Sequence, residues 1–105
     1  MVTGKAWTPA EIKLICEVYA SMLYIETMGH KYNKSQARRD TVPLLDGRSE
    51  GSYEMKMCNI SAACFDAGLI WISGYKPFDS YQAALKPAII EACALYGMHP
   101  RGEDE

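Results

Sequence analysis

Apolar side chains at helical spacing, repeated behind capping residues, constrain this chain more than any other feature of it. Thr8-Pro9-Ala10-Glu11 is a capping box, with Thr8 at the N-cap, Pro9 at the first helical position and Glu11 reaching back to the start. Behind it Ile12, Ile15, Cys16, Tyr19, Met22 and Leu23 recur every three or four residues. Leu14, Val18 and Ile25 widen that stripe, so the first helix is expected to pack on more than one side and to stop at Gly29. Trp7, just before the cap, is placed to staple onto the first turn.

Asn33 and Gln36 repeat the capping pattern, and a short helix is expected from Lys34 to Leu45. Pro43 weakens its last turn or starts a separate one, and Asp46-Gly47 is a turn signal. Ser49 caps a third helix, in which Tyr53, Met57, Ile60 and Cys64 form one continuous stripe ending at Gly68. Leu69-Ile70-Trp71-Ile72 reads as a short extended segment with no second strand to pair with. Asp79-Ser80-Tyr81-Gln82 looks like another cap, and a helix starting near Ser80 should kink or divide at Lys86-Pro87. The expected fold is therefore all-α: a compact bundle of four to five helices with one short extended segment. Residues 1–6 read as a tail, 7–97 as one helical domain and 98–105 as an acidic tail.

With 105 residues, 49% of them hydrophobic and 23% charged, the chain has the composition of one globular domain and not of a disordered or repetitive segment. No apolar run approaches the roughly 20 residues of a membrane helix, so no membrane association is expected. The start, Met1 to Lys5, leads into a polar helix start instead of an apolar signal region, which predicts a cytoplasmic protein. Cys16, Cys58, Cys64 and Cys93 follow no CxxC spacing and sit in apolar helical patterns, as small core residues do. His30 and His99 complete no ligand set with them, so neither a metal nor a cofactor is expected.

No catalytic pattern stands out: there is no GxSxG, P-loop, GxGxxG or HExxH. Cys93 with His99 is the only sequence-local thiol–imidazole pair, and its histidine lies in the tail. The expectation is a protein that is not an enzyme. What remains is charge. The net charge is −2, yet Lys31, Lys34, Arg38, Arg39, Arg48 and Lys56 fall in one quarter of the chain against Asp40, Asp46, Glu50 and Glu54. The third helix opens with small polar residues, and a helix start offers free N–H groups and the positive end of its dipole to a phosphate. Arg48 adds a charged donor beside Ser49, Ser52 and Lys56. Lys34 and Arg38 share a face of the short helix. A short basic helix, a turn and a longer helix are compatible with a helix-turn-helix-like pair that touches DNA. The bland alternative pairs Arg38 and Arg39 with Asp40, Glu50 or Glu54 on the surface.

The blocks Arg48-Ser49-Glu50-Gly51-Ser52-Tyr53-Glu54-Met55-Lys56 and Asn59-Ile60-Ser61-Ala62 resemble the N-terminal helical domain that precedes the nuclease module in bacterial restriction-type HNH endonuclease-like proteins. The likeness also takes in Trp7-Thr8 with Glu11, Tyr32-Asn33-Lys34, Gly74-Tyr75-Lys76-Pro77 and Tyr81-Gln82, in order along most of residues 7–82. The resemblance implies a helical module attached to nucleic-acid-processing machinery. It supplies no nuclease site, because the ligands of an HNH fold would lie in a module that follows. The first reading is a non-catalytic DNA-binding module in which Arg48, Ser49, Ser52 and Lys56 engage phosphates, helped by Lys34, Arg38, Arg39 and Lys76. Asn59 is expected to be a buried hydrogen-bonding residue joining helix to loop. The alternative is a stand-alone protein-interaction module, such as a phage-encoded inhibitor or adaptor of a nuclease complex. Self-association through the wide first stripe is compatible with both.

Overall fold

The computed structural model describes residues 6–101 and contains four α-helices and no strand among them. α1 spans Pro9–Thr27, α2 Lys34–Thr41, α3 Glu50–Ala67 and α4 Leu85–Ala94. The fold is the expected small all-helical bundle.

The caps explain where the first three helices begin. At α1 the Thr8 hydroxyl accepts from the Glu11 N–H at 3.2 Å while the Glu11 carboxylate accepts from the Thr8 N–H at 2.9 Å. Asn33 caps α2 by accepting from the Gln36 N–H, and Ser49 caps α3 by accepting from the Ser52 N–H at 3.0 Å. α2 ends at Thr41, four residues short of the expected Leu45, because Pro43 has no N–H to continue it and opens a 3-10 turn over Val42–Leu44. Residues 42–49 therefore separate α2 from α3, a longer link than the three- or four-residue turn of a helix-turn-helix.

α4 is where local patterning misleads. It begins at Leu85, not near Ser80, and runs unbroken to Ala94 through Pro87. Pro87 sits in its first turn, where the N–H has no intrahelical acceptor to lose. The apparent cap at 79–82 is instead part of an irregular segment: Ser80 has a left-handed φ of 55°, and Gln82 turns back to donate to the Trp7 carbonyl at 3.1 Å.

α4 packs on α1 and α3, and α1 also meets α2 and α3, which accounts for its wide apolar stripe. Tyr19 lies fully buried at the centre. Its hydroxyl pairs with the Ser61 hydroxyl at 2.7 Å and accepts the Ile72 N–H at 2.9 Å, tying α1 to α3 and to the segment after it. That segment, Leu69 to Ile72, buries Leu69 and Ile72 in the core. Cys16, Cys64 and Cys93 are core residues and Cys58 is half-buried. The packed chain runs beyond the expected boundary at 97: Met98 lies against the core, and the Arg101 N–H donates to the Gly68 carbonyl at 2.8 Å. The remaining acidic tail residues, 102–105, and the start of the chain, 1–5, lie outside the described residues. No helix among the described residues is long and apolar enough to cross a membrane.

Candidate functional site

The N-terminal end of α1, the link before α3 and the loop before α4 converge on one buried ion pair. Glu11 and Arg48 meet side by side, with Nη2 to Oε1 at 2.8 Å and Nε to Oε2 at 3.1 Å, and both side chains are more than nine-tenths buried. Glu11 also accepts the N–H groups of Thr8 and Asp46, each at 2.9 Å. The Arg48 hydrogen bonds hold the Glu11 carboxyl far below its usual range, at about 2, although burial pushes it the other way. Arg48 in turn has its pKa raised by Glu11, and it donates to the Ala6 carbonyl at 3.0 Å.

This pair anchors a platform. The Arg48 guanidinium lies 4.8 Å from the centre of the Trp7 ring, and the Lys56 ammonium lies 4.9 Å from the same centre. Trp7 is buried, as a staple residue would be, but it also carries two cations. Beside them opens a cleft of about 420 Å³ whose walls include Trp7, Arg48, Ser52, Lys56, Asn59 and Gln82. The far wall is pinned in place. The Asn59 amide donates to the carbonyls of Phe78 at 2.8 Å and Asp79 at 3.3 Å, which is the helix-to-loop role expected of it.

Charge in this cleft is unbalanced. Glu11 compensates Arg48, whereas Lys56 has no carboxylate within salt-bridge distance among the described residues. Its ammonium is nonetheless part of a side chain that leaves only 9% of the residue exposed. Burial, with Arg48 beside it, lowers the Lys56 pKa. An anion entering the cleft would meet one uncompensated cation, the Ser52 hydroxyl and the edge of a neutralised guanidinium.

The eight residues singled out by charge and spacing thus divide. Arg48, Ser52 and Lys56 share the cleft. Ser49 spends its side chain on the α3 cap. Lys34 and Arg38 belong to a second cluster around Tyr75. Lys34 donates to the Gly74 carbonyl at 3.2 Å and lies 4.2 Å from the centre of the Tyr75 ring. Arg38 pairs with Glu54 at 2.9 Å and lies 3.8 Å from Glu50, as the bland alternative has it. Arg39 takes the neutral Gln36 as partner at 3.0 Å, and Lys76 is exposed. Within the Tyr75 cluster the buried hydroxyls of Tyr53 and Tyr75 and the Arg38 Nε have no hydrogen-bond partner among the described residues.

Charge and helix-start reasoning overlooks Glu11, Trp7, Asn59 and Gln82 as neighbours of Arg48 and Lys56. Trp7 and Glu11 flank the α1 cap and Gln82 lies in the loop before α4, but Asn59 sits in the middle of α3, and no local pattern links the four. Elsewhere, no group of three or more His, Cys, Asp or Glu side chains arranged to hold a metal occurs among the described residues. Burial pushes the Cys16 thiol up to about 12 and the Cys93 thiol up to about 11, and Cys93 is fully buried while His99 is exposed. Comparison of the chain with family models, curated proteins and solved structures gives no match.

Proposed function

We propose that this chain is a non-catalytic helical module that contacts DNA through a backbone or terminal phosphate held in the Trp7–Lys56 cleft. The observation that carries the reading is the deeply set Lys56 ammonium, which faces Ser52 and Arg48 without a carboxylate of its own among the described residues. Some of the blocks that resemble a restriction-type N-terminal domain border this cleft, namely Trp7, Arg48 to Lys56, Asn59 and Gln82, with Glu11 behind Arg48, whereas Lys34 and Gly74-Tyr75 lie together in the second cluster. A cytoplasmic restriction or defence nuclease system is the setting in which such a module would work. The contact is narrower than eight residues, because Lys34 and Arg38 are engaged within the molecule.

Fluorescence anisotropy with single- and double-stranded oligonucleotides at low and near-physiological salt tests the proposal. Lys56→Met keeps an unbranched apolar side chain in place and removes the charge that lies over Trp7, so it should abolish salt-sensitive binding while the fold survives. Lys34→Met should retain binding. Absence of binding by the parent at low salt would overturn the reading.

A second reading, a protein-interaction module of a nuclease complex, draws on a different surface. Phe65 and Trp71 meet edge to face at 5.5 Å and remain 63% and 37% exposed beside a cleft of about 550 Å³. Binding to a nuclease partner that resists salt and is lost in Trp71→Ala would favour it.

A further inference from the structure

α2 differs from the other helices in what holds it. α1, α3 and α4 each bury a run of apolar residues. The sequence of α2, Lys34-Ser35-Gln36-Ala37-Arg38-Arg39-Asp40-Thr41, buries only Thr41, with Ala37 half-buried against the core. A helix of eight residues does not recover its nucleation cost in water, so α2 exists by its ties to the bundle. Those ties are polar. Arg38 pairs with Glu54 at 2.9 Å, and Lys34 donates to the Gly74 carbonyl at 3.2 Å and lies over the Tyr75 ring. The Arg38 and Glu54 side chains remain 25% and 38% exposed, and an ion pair so open to water adds little net stability.

The contact that α2 closes works against it. The hydroxyls of Tyr53 and Tyr75 are buried there with no hydrogen-bond partner among the described residues, and the charge of Arg38 is near enough to act on both phenols. The Arg38 Nε is unpartnered in the same sense: its nearest carboxylate oxygen, on Glu50, lies 3.8 Å away, beyond hydrogen-bond distance. Three desolvated polar groups at one contact are a penalty carried only while α2 is closed, and opening returns all three to water. The chain is moored on both sides of the helix. Before it, Tyr32 donates to Glu26 at 2.6 Å. After it, Leu45 is buried in the core and the Asp46 N–H is held by Glu11 at 2.9 Å. Residues 33–44 are thus free to let go between two fixed points.

We infer that residues 33–44 form an autoinhibitory latch: α2 leaves Tyr75 and Glu54 and loses its helix as one unit while α1, α3 and α4 stay packed, and in its closed form it withholds Lys34 and Arg38 from an anionic partner. The latch involves none of the residues that border the Trp7–Lys56 cleft, so it goes beyond the DNA reading and does not depend on it.

Native-state amide hydrogen exchange of the full chain, followed residue by residue by NMR, tests this. The amides of residues 38–42, which donate within α2 and at its C-cap, should exchange together, roughly a hundredfold or more faster than the core amides of α1 and α3. Two variants on α3 separate a latch from simple fraying of a short helix. Tyr53→Phe changes no atom of α2 and removes one unpaired hydroxyl from the closed form, so it should slow the α2 amides by about fivefold or more. Tyr75→Phe repeats that measurement on the second phenol. Glu54→Gln takes away the counter-charge of Arg38 and should speed the same amides by about two- to fivefold. Amides of α2 protected as strongly as those of α3 would overturn the latch, because the helix would then open only with the whole molecule. Fast α2 amides that respond to neither phenol substitution would overturn it too, since the ends would be fraying without uncovering Tyr53 or Tyr75.

Discussion

Three tyrosines of the core show how differently one residue type is used. The Tyr19 hydroxyl serves two buried groups, Ser61 and the Ile72 N–H, whereas the Tyr53 and Tyr75 hydroxyls are buried with no partner among the described residues. Tyr19→Phe should therefore cost about 1–3 kcal/mol, the penalty for leaving a buried N–H unpaired. Tyr53→Phe removes a desolvated hydroxyl that makes no bond to a described residue and should leave stability unchanged or raised. Thermal melts of the two variants check this, and equal losses would show that Tyr53 is bonded after all. Helical spacing marks all the core tyrosines alike as apolar positions. Only the partners of each hydroxyl separate them, and those come from residues 42 and 53 positions away along the chain.

Helices are held in register here by polar ties as well as by the core. The Glu11–Arg48 pair joins the start of α1 to the link before α3. Glu11 is depressed from an ordinary 4.5 to about 2, so the stabilisation it confers is complete above the unfolded value and is lost as pH falls through the folded one. The thermal midpoint of the parent should drop as pH goes from about 5 to about 2. In Glu11→Gln that part of the slope should vanish, and at neutral pH the variant should be less stable by about 3 kcal/mol because Arg48 is left buried without its counter-charge. An unchanged acid slope in the variant would show that other carboxylates dominate. At the far end of α3, Gly68 has a left-handed φ of 79°, and an added Cβ would lie 3.4 Å from the Arg101 nitrogen. Gly68→Ala should cost about 1–2 kcal/mol in a denaturant melt.

On the scale of the whole molecule, the question is how much positive charge is available to a partner. Six cations lie between residues 31 and 56, but Arg38 and Arg48 face carboxylates and Lys34 is tied to the Gly74 carbonyl. Binding that uses the cleft alone should give a slope of log affinity against log salt near −1, whereas six neutralised phosphates would give about −5. A steep slope would mean that the internal pairs open on binding and that the contact is a broad face instead of a recess.

Caps, stops and apolar spacing are local properties, and they were sufficient for the all-helical class and for the ends of α1 and α3. Thr8 with Glu11, Ser49, Gly29 and Gly68 act within a few residues of themselves. The same locality fails at 79–82, where a cap-like string is consumed by long-range bonds from Asn59 and to Trp7, and at Pro87, which is harmless only because α4 begins two residues before it. The grouping of Arg48, Ser52 and Lys56 is also partly local, since all three border the start of α3. Their meaning is not. Which cation is neutralised and which is left facing a cleft depends on a carboxylate 37 residues from Arg48 and an indole far from Lys56. Charge acts through space, so composition could count the basic residues of this chain, and only the tertiary structure decided that Lys56 is a buried cation with no carboxylate at salt-bridge distance among the described residues.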